Sequence, residues 1–402
     1  MSSAAEDGTN GAERWDEEVA SVLALASDAR YLAAKDAYVQ LMQRLQAGGA
    51  DAVGEAARQA VVAQLSLDPA IQTMLTRCGE VQKCLQNVSN EHEWIHGMEM
   101  LGITTHYRQC PEDKNSIIVK MEGVMDELPV FEQMAVIHEL DLYTEWAPLC
   151  TKSKLVEKVG KEELFGYLRV GLPLFSRDFL MHAYGVDCLK EEGKVVILGR
   201  STEEYGGVGA DAGDGTGEGE GEGAGEGGTG TVPWKELGWF HKRMYVKDFE
   251  AVIDVLSPSC AKTRIVSRID LNAPLPPSML NFLIRNLAGI LLYVLQQQVI
   301  KVARDQDCPH AHAMRANTGF YRDWMLPKLR AYCALQGWEQ PTVLSLGEEG
   351  LPPTEVPELY GRGEAQGKTQ EQERTAMETA KSEAETGAKV GAEMGAEIAL
   401  PL

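Results

Sequence analysis

The order of elements read along this 402-residue chain predicts an α+β fold: a curved antiparallel β-sheet covered by a long carboxy-terminal amphipathic helix, with an added amino-terminal helical segment. Three observations carry that expectation. Apolar residues recur every three or four positions through an alanine-rich stretch over 15–88, as helices require. Short runs rich in Ile, Val, Thr and Tyr, bounded by turn residues, then follow one another from 102 to 271. Residues 277–302, PSMLNFLIRNLAGILLYVLQQQVIKV, finally return to helical spacing with an unusually wide apolar half.

Residues 1–14 read as disordered. Helices are expected at about 15–46, 51–66 and 69–88, the last opening on Asp68-Pro69, a good N-cap followed by an N1 proline. The runs 102–110 and 116–128, separated by PEDKN, read as a hairpin. Helical spacing returns over 129–139, and a second short helix over 142–149 stops at Trp146-Ala147-Pro148. Strands are expected at 152–159, 163–172, 179–189 and 194–201, then at 237–245, 251–256 and 262–271. Between those two series, 206–230 holds six acidic and no basic residues among its glycines; it cannot bury apolar surface and reads as a disordered insertion. The long helix 277–302 follows, then a carboxy-terminal helical extension over 304–338 centred on a helix at 320–335. Residues 339–402 turn to Glu, Gly and Ala and read as a disordered acidic tail.

The formal net charge of −22 argues against a nucleic acid partner, because phosphates need neutralising cations. The eight cysteines contain no CxxC pair and read as buried thiols. The amino terminus has no basic region followed by an apolar core, so a cytoplasmic location is expected. A membrane span over 277–302 is disfavoured by Asn281, Arg285 and Asn286 in its first turns.

Three strings place the middle of the chain in a family context: EWAP at Glu145 to Pro148, GLPLFSRDF at Gly171 to Phe179, and TRIVSRIDLNAPLPPSMLNFLIRN at Thr263 to Asn286. In this order and spacing they resemble the START domain, the steroidogenic-acute-regulatory-related lipid-transfer family of the helix-grip fold, over about 89–303. The resemblance implies one lipid held in a tunnel between the sheet and the final helix, which acts as its gate. Burying an acyl chain is worth ~0.8 kcal/mol per methylene, so a closed apolar cavity could extract a lipid from a bilayer. In the sterol-binding branch of the family, a charged pair stands inside the tunnel. Here Arg169 stands where the acidic member is expected and Ala183 where the arginine is expected, so a sterol ligand does not follow.

On this reading the gate residues Leu280, Leu283, Ile284, Leu287 and Leu291 line the tunnel. Phe282 and Leu292, off that face, are expected to touch the bilayer during opening, giving transient peripheral membrane contact. Arg169 lies on a strand whose other face is Leu168, Val170 and Leu172; it is read either as a solvent-facing arginine or as a cavity cation for an anionic headgroup. His182 is read either as a packed, hydrogen-bonded histidine or as a cavity polar group. Arg177-Asp178 reads as structural, and the amino-terminal helices as a packing or protein-partner module.

No catalytic residue, metal or cofactor is called for, and the chain is expected to be a binding protein rather than an enzyme. Two other readings are kept: an interaction module whose tunnel is filled by side chains, and a zinc hydrolase using HEWIH at 92–96. On a helix His92 and His96 would share a face with Glu93 as base, but the motif falls where helical spacing gives way to a strand. Cys308, His310 and His312 lack a fourth ligand and read as incidental.

Overall fold

A computed structural model describes residues 4–47, 52–91, 94–100, 102–113, 116–172, 175–202, 242–272 and 288–347. The expected insertion 206–230, the first turns of the 277–302 helix and the tail beyond 347 lie outside the described residues.

Four helices open the chain: α1 (Ala4–Ser27), α2 (Tyr31–Ala47), α3 (Ala52–Leu67) and α4 (Pro69–Ser89). The expected single helix over 15–46 is two, broken where Ala29 takes a left-handed φ of 59°, a conformation costly to an L-residue inside a helix. Helix α1 begins at Ala4, within the stretch expected to be disordered. At α4 the expected start is found: Asp68 accepts hydrogen bonds from the backbone of Ala70 at 2.8 Å and Ile71 at 3.3 Å, with Pro69 as first helical residue.

The sheet runs β1 (Ile95–Met100), β2 (Ile103–Gln109), β3 (Ser116–Met125), β4 (Cys150–Val159), β5 (Glu163–Leu172), β6 (Phe175–Cys188), β7 (Lys194–Ser201), β8 (Lys242–Arg243), β9 (Tyr245–Ser257) and β10 (Cys260–Asp270). In space the order is β1-β2-β3-β10-β9-β7-β6-β5-β4, with every neighbouring pair antiparallel. The two-residue β8 pairs parallel to β6 off this path. Strand β1 was not expected; its sequence, IHGMEM, carries no run of branched residues that would signal it. Between β3 and β4 come α5 (Val130–His138), a 3-10 turn at Leu140–Leu142 and the single turn α6 (Tyr143–Trp146); α7 (Leu189–Glu192) joins β6 to β7. After the sheet come α8 (Ala288–Arg304), α9 (Pro309–Ala316), a short turn at Thr318–Phe320, a π-helical turn at Tyr321–Met325, and α10 (Leu326–Gln336).

Strand periodicity divides the apolar residues between two cores. On β9, Ala251, Ile253 and Val255 belong to an inner core while Val252 joins an outer one. The inner core is completed by α5, by Leu292, Leu295, Val299 and Val302 of α8, and by α9 and α10. The outer core packs Ile71, Met74, Cys78, Val81, Cys84 and Val88, one stripe of α4, on Val186, Val196, Leu198 and Val266 of the sheet. Ion pairs reinforce that second layer: Arg77 meets Glu163 at 2.5 Å, and Arg30 meets Glu191 at 2.5 Å. The chain also stays packed past 338, where the tail was expected to begin. Val343, Ser345 and Leu346 are buried, and Ser345 Oγ donates to Glu132 at 3.2 Å.

Candidate lipid-binding cavity

A cavity of about 500 Å³ lies largely between the inner face of the sheet and the helices and reaches round the β5–β6 end to Glu162, Tyr184 and Val186, the last two belonging to the outer core. Its volume is within the ~300–1,000 Å³ usual for small-molecule sites. Alternation along the strands sets its floor: Leu164, Leu168 and Val170 from β5, Phe179, Met181 and Ala183 from β6, Val195 and Ile197 from β7, and Ile117, Val119 and Met121 from β3. Its cover comes from Met134, Ile137 and His138 of α5, Leu140 and Tyr143 just beyond, Leu291 of α8, and Phe320, Trp324, Met325 and Lys328. The start of the carboxy-terminal helical extension, through Phe320, Trp324, Met325 and Lys328, is therefore part of the wall. Gly166 seats the cover on the floor: a Cβ there would stand 2.7 Å from a Leu140 methyl, closer than carbon atoms approach.

The family-like strings land at this cavity. Ala147 and Pro148 of EWAP line it, as do Ile269 and Leu271 from the IDL run that ends β10, and Phe179 closes the RDF triplet. Asp178 accepts a hydrogen bond from Tyr167 at 3.1 Å and Arg177 donates to the carbonyl of Leu271 at 2.8 Å, so this pair holds loops and strands together.

Among the expected contact residues, Leu291 lies on the cavity wall. Leu280, Leu283, Ile284 and Leu287, and the expected bilayer residue Phe282, lie outside the described residues. Three expectations are corrected. Arg169 alternates with the floor residues Leu168 and Val170, so it emerges on the far face of the sheet, where its Nη2 donates to Tyr167 at 3.0 Å. His182 alternates with Met181 and Ala183 and also leaves the cavity; it stacks on Phe165 at 4.6 Å and meets Glu163 at 2.6 Å. Leu292 is 0 % exposed within the inner core, so it is a packing residue and not a bilayer contact. A period of two decides the first two corrections, and the docking of α5 on α8 decides the third.

The zinc reading also loses its geometry. His96 lies in β1, edge-on to His106 at 5.5 Å, whereas a helical pair of ligands requires both histidines on one turn. His92 and Glu93 lie outside the described residues. No group of three or more His, Cys, Asp or Glu side chains suited to a metal occurs among the described residues. His310 is fully buried with Nδ1 3.1 Å from the Gln298 amide, and burial pushes its pKa down to about 4, the behaviour of a neutral core histidine.

Two polar clusters at the cavity were not anticipated. Lys328 Nζ meets Asp28 at 2.6 Å and Asp187 at 3.0 Å, and the Trp324 indole donates to Asp28 at 2.7 Å. This ties the α1–α2 turn, the sheet and the carboxy-terminal helices together at one end of the cavity. Beside it, His138 stacks on Phe320 with centroids 4.1 Å apart. Its Nδ1 lies 2.9 Å from the Tyr321 hydroxyl and 3.3 Å from a Glu139 carboxylate oxygen, and Tyr321 itself donates to Glu139. Burial raises the Glu139 pKa, but hydrogen bonds from His138 and Tyr321 outweigh it and hold the group below its usual value. Burial lowers that of His138 despite the carboxylate. The cluster thus holds an ionised Glu139 and a neutral imidazole. These residues lie inside helical patterns in the sequence; in the structure Tyr321 opens the π-helical turn, a feature frequent at functional sites, and meets His138 there.

No family model matches the chain, and no curated protein matches it in sequence. Among solved structures, it is similar to human STARD10, with 12% identity over 61% of this chain and 86% of that one, at a TM-score of 0.45. It is similar to human StAR-related lipid transfer protein 5, with 15% identity over 57% and 98% of the two chains, at a TM-score of 0.44. It is also similar to the Zhui aromatase/cyclase from Streptomyces sp. R1128, with 12% identity over 48% and 98%, at a TM-score of 0.31.

Proposed function

We propose that the chain is a START-type lipid-binding protein, without enzymatic activity, that encloses one lipid between its sheet and its helices and passes lipids between membranes. The observation that carries this reading is the cavity of about 500 Å³ with an almost wholly apolar wall. An unfilled apolar volume of that size forfeits dispersion contacts all along its lining, and an apolar ligand restores them. A tunnel filled by side chains, the interaction-module alternative, is hard to reconcile with that open volume. No helix among the described residues is long and apolar enough to cross a membrane, so exchange with bilayers would proceed by transient contact.

The test fills the cavity. Ala183 lies on the floor, and Ala183→Phe places a ring in the space a ligand would take. Wild-type protein incubated with vesicles carrying labelled lipids should extract about one lipid per chain. The variant should melt cooperatively and extract less than a tenth as much. Equal extraction by the two would show that the lipid sits elsewhere.

A further inference from the structure

The polar groups of the cavity wall differ in whether they are already used. Tyr143 donates to the carbonyl of Ile137 at 2.6 Å, Ser267 to that of Asp248 at 3.2 Å, and Tyr184 to Glu80. Glu162 accepts from Tyr31 at 3.3 Å, and Asp187 and Lys328 neutralise each other. His138 differs. Its Nδ1 is committed to Tyr321 and Glu139. The single Tyr321 proton goes to Glu139, so the bond between Tyr321 and His138 must use a proton on Nδ1. The imidazole is neutral, because burial lowers its pKa. Its Nε2 therefore carries a lone pair and no proton, and it bonds to no described residue. The ring is on the cavity wall and 14% of the side chain remains accessible.

Resting on the lipid-binding reading above, we propose that His138 Nε2 is the specificity-determining hydrogen-bond acceptor of the cavity and selects a neutral lipid through a hydroxyl donor. Glu139 and Tyr321 act as positioning residues that fix the tautomer. The rest of the described wall agrees with a neutral ligand. Its charged side chains, Glu162, Asp187 and Lys328, each face a counter-charge, so none is left to neutralise a phosphate. A hydroxyl-bearing neutral lipid can come from two sources, a sterol or a diacylglycerol, and both present the same donor.

The test compares each lipid with its own methyl ether, which keeps the shape and removes the proton. Full-length protein is titrated with labelled cholesterol, labelled diacylglycerol, the O-methyl ether of each, and phosphatidylcholine. At least one hydroxyl lipid should bind roughly fivefold more tightly than its ether, the order expected for one net hydrogen bond; which of the two does so identifies the source. In His138→Phe, which keeps a ring against Phe320, that preference should disappear, the hydroxyl lipid and its ether binding alike. Wild-type protein that binds each ether as tightly as its parent, or prefers phosphatidylcholine, overturns the assignment but leaves lipid binding standing. Protein that binds none of the five removes both. The wild-type comparison needs no variant, so the outcome does not depend on His138→Phe folding.

Discussion

A carboxyl held away from water gives the residue scale its clearest energetic signal. Glu132 lies inside α5, 4 % exposed, with Ser345 as its side-chain donor, and burial pushes its pKa from 4.5 up to about 7. A raised acid pKa means the folded state holds the proton more tightly than the unfolded chain. The associated stability is therefore full below about pH 4.5 and is lost as pH rises through 7, by on the order of 3 kcal/mol. Glu132→Gln keeps an acceptor for Ser345 and has no proton to lose. Wild-type thermal midpoints should fall between pH 5 and pH 8, and the variant should show a flatter profile with a higher midpoint at pH 8. Parallel profiles for the two proteins would mean that Glu132 is not the group responsible. Sequence reasoning could not find this residue, or His138, because both sit in a helical run whose burial depends on partners two hundred residues away. It kept a position outside the cavity open for both Arg169 and His182, and for Arg169 alternation along β5 sets it opposite Leu168 and Val170. What it lacked was the knowledge of which face the helices cover.

Among the elements, α8 behaves differently from the simple gate expected of 277–302. Its described part is anchored: Leu292, Leu295, Val299 and Val302 are buried against α5 and the sheet, and only Leu291 reaches the cavity. Truncating Leu292 should therefore act on stability. Leu292→Ala is expected to cost about 2–5 kcal/mol, read as a lower urea midpoint at unchanged slope, while lipid transfer per folded molecule stays the same. Slowed transfer at unchanged stability would restore Leu292 to the membrane-contact role. The division of the helix was partly visible beforehand, since its apolar half is too wide for one partner. Its two ends were not separable, because periodicity reports which residues are apolar and not what they meet. The hairpin of β2 and β3, the N-cap of α4 and the helical character of 129–139 were legible for the opposite reason. Each rests on local turn, cap or spacing chemistry.

At the scale of the whole molecule, the sheet is covered on both faces. The inner face carries the cavity and the carboxy-terminal helices; the outer face carries α4 and the helices packed on it. Asp28, Asp187 and Lys328 join the two layers at one end of the cavity. The sequence predicted the inner layer through its helix-strand order, whereas the outer layer appeared only as helices without an assigned neighbour. The central claim is that the cavity between the sheet and the helices holds a lipid. The most direct measurement is organic extraction of the purified full-length protein followed by lipid mass spectrometry, with bound metal assayed on the same sample. The account predicts close to one lipid per chain, no stoichiometric zinc, and a bound species that is neutral and carries a free hydroxyl. Protein purified without lipid, and unable to take one up from vesicles, would contradict it.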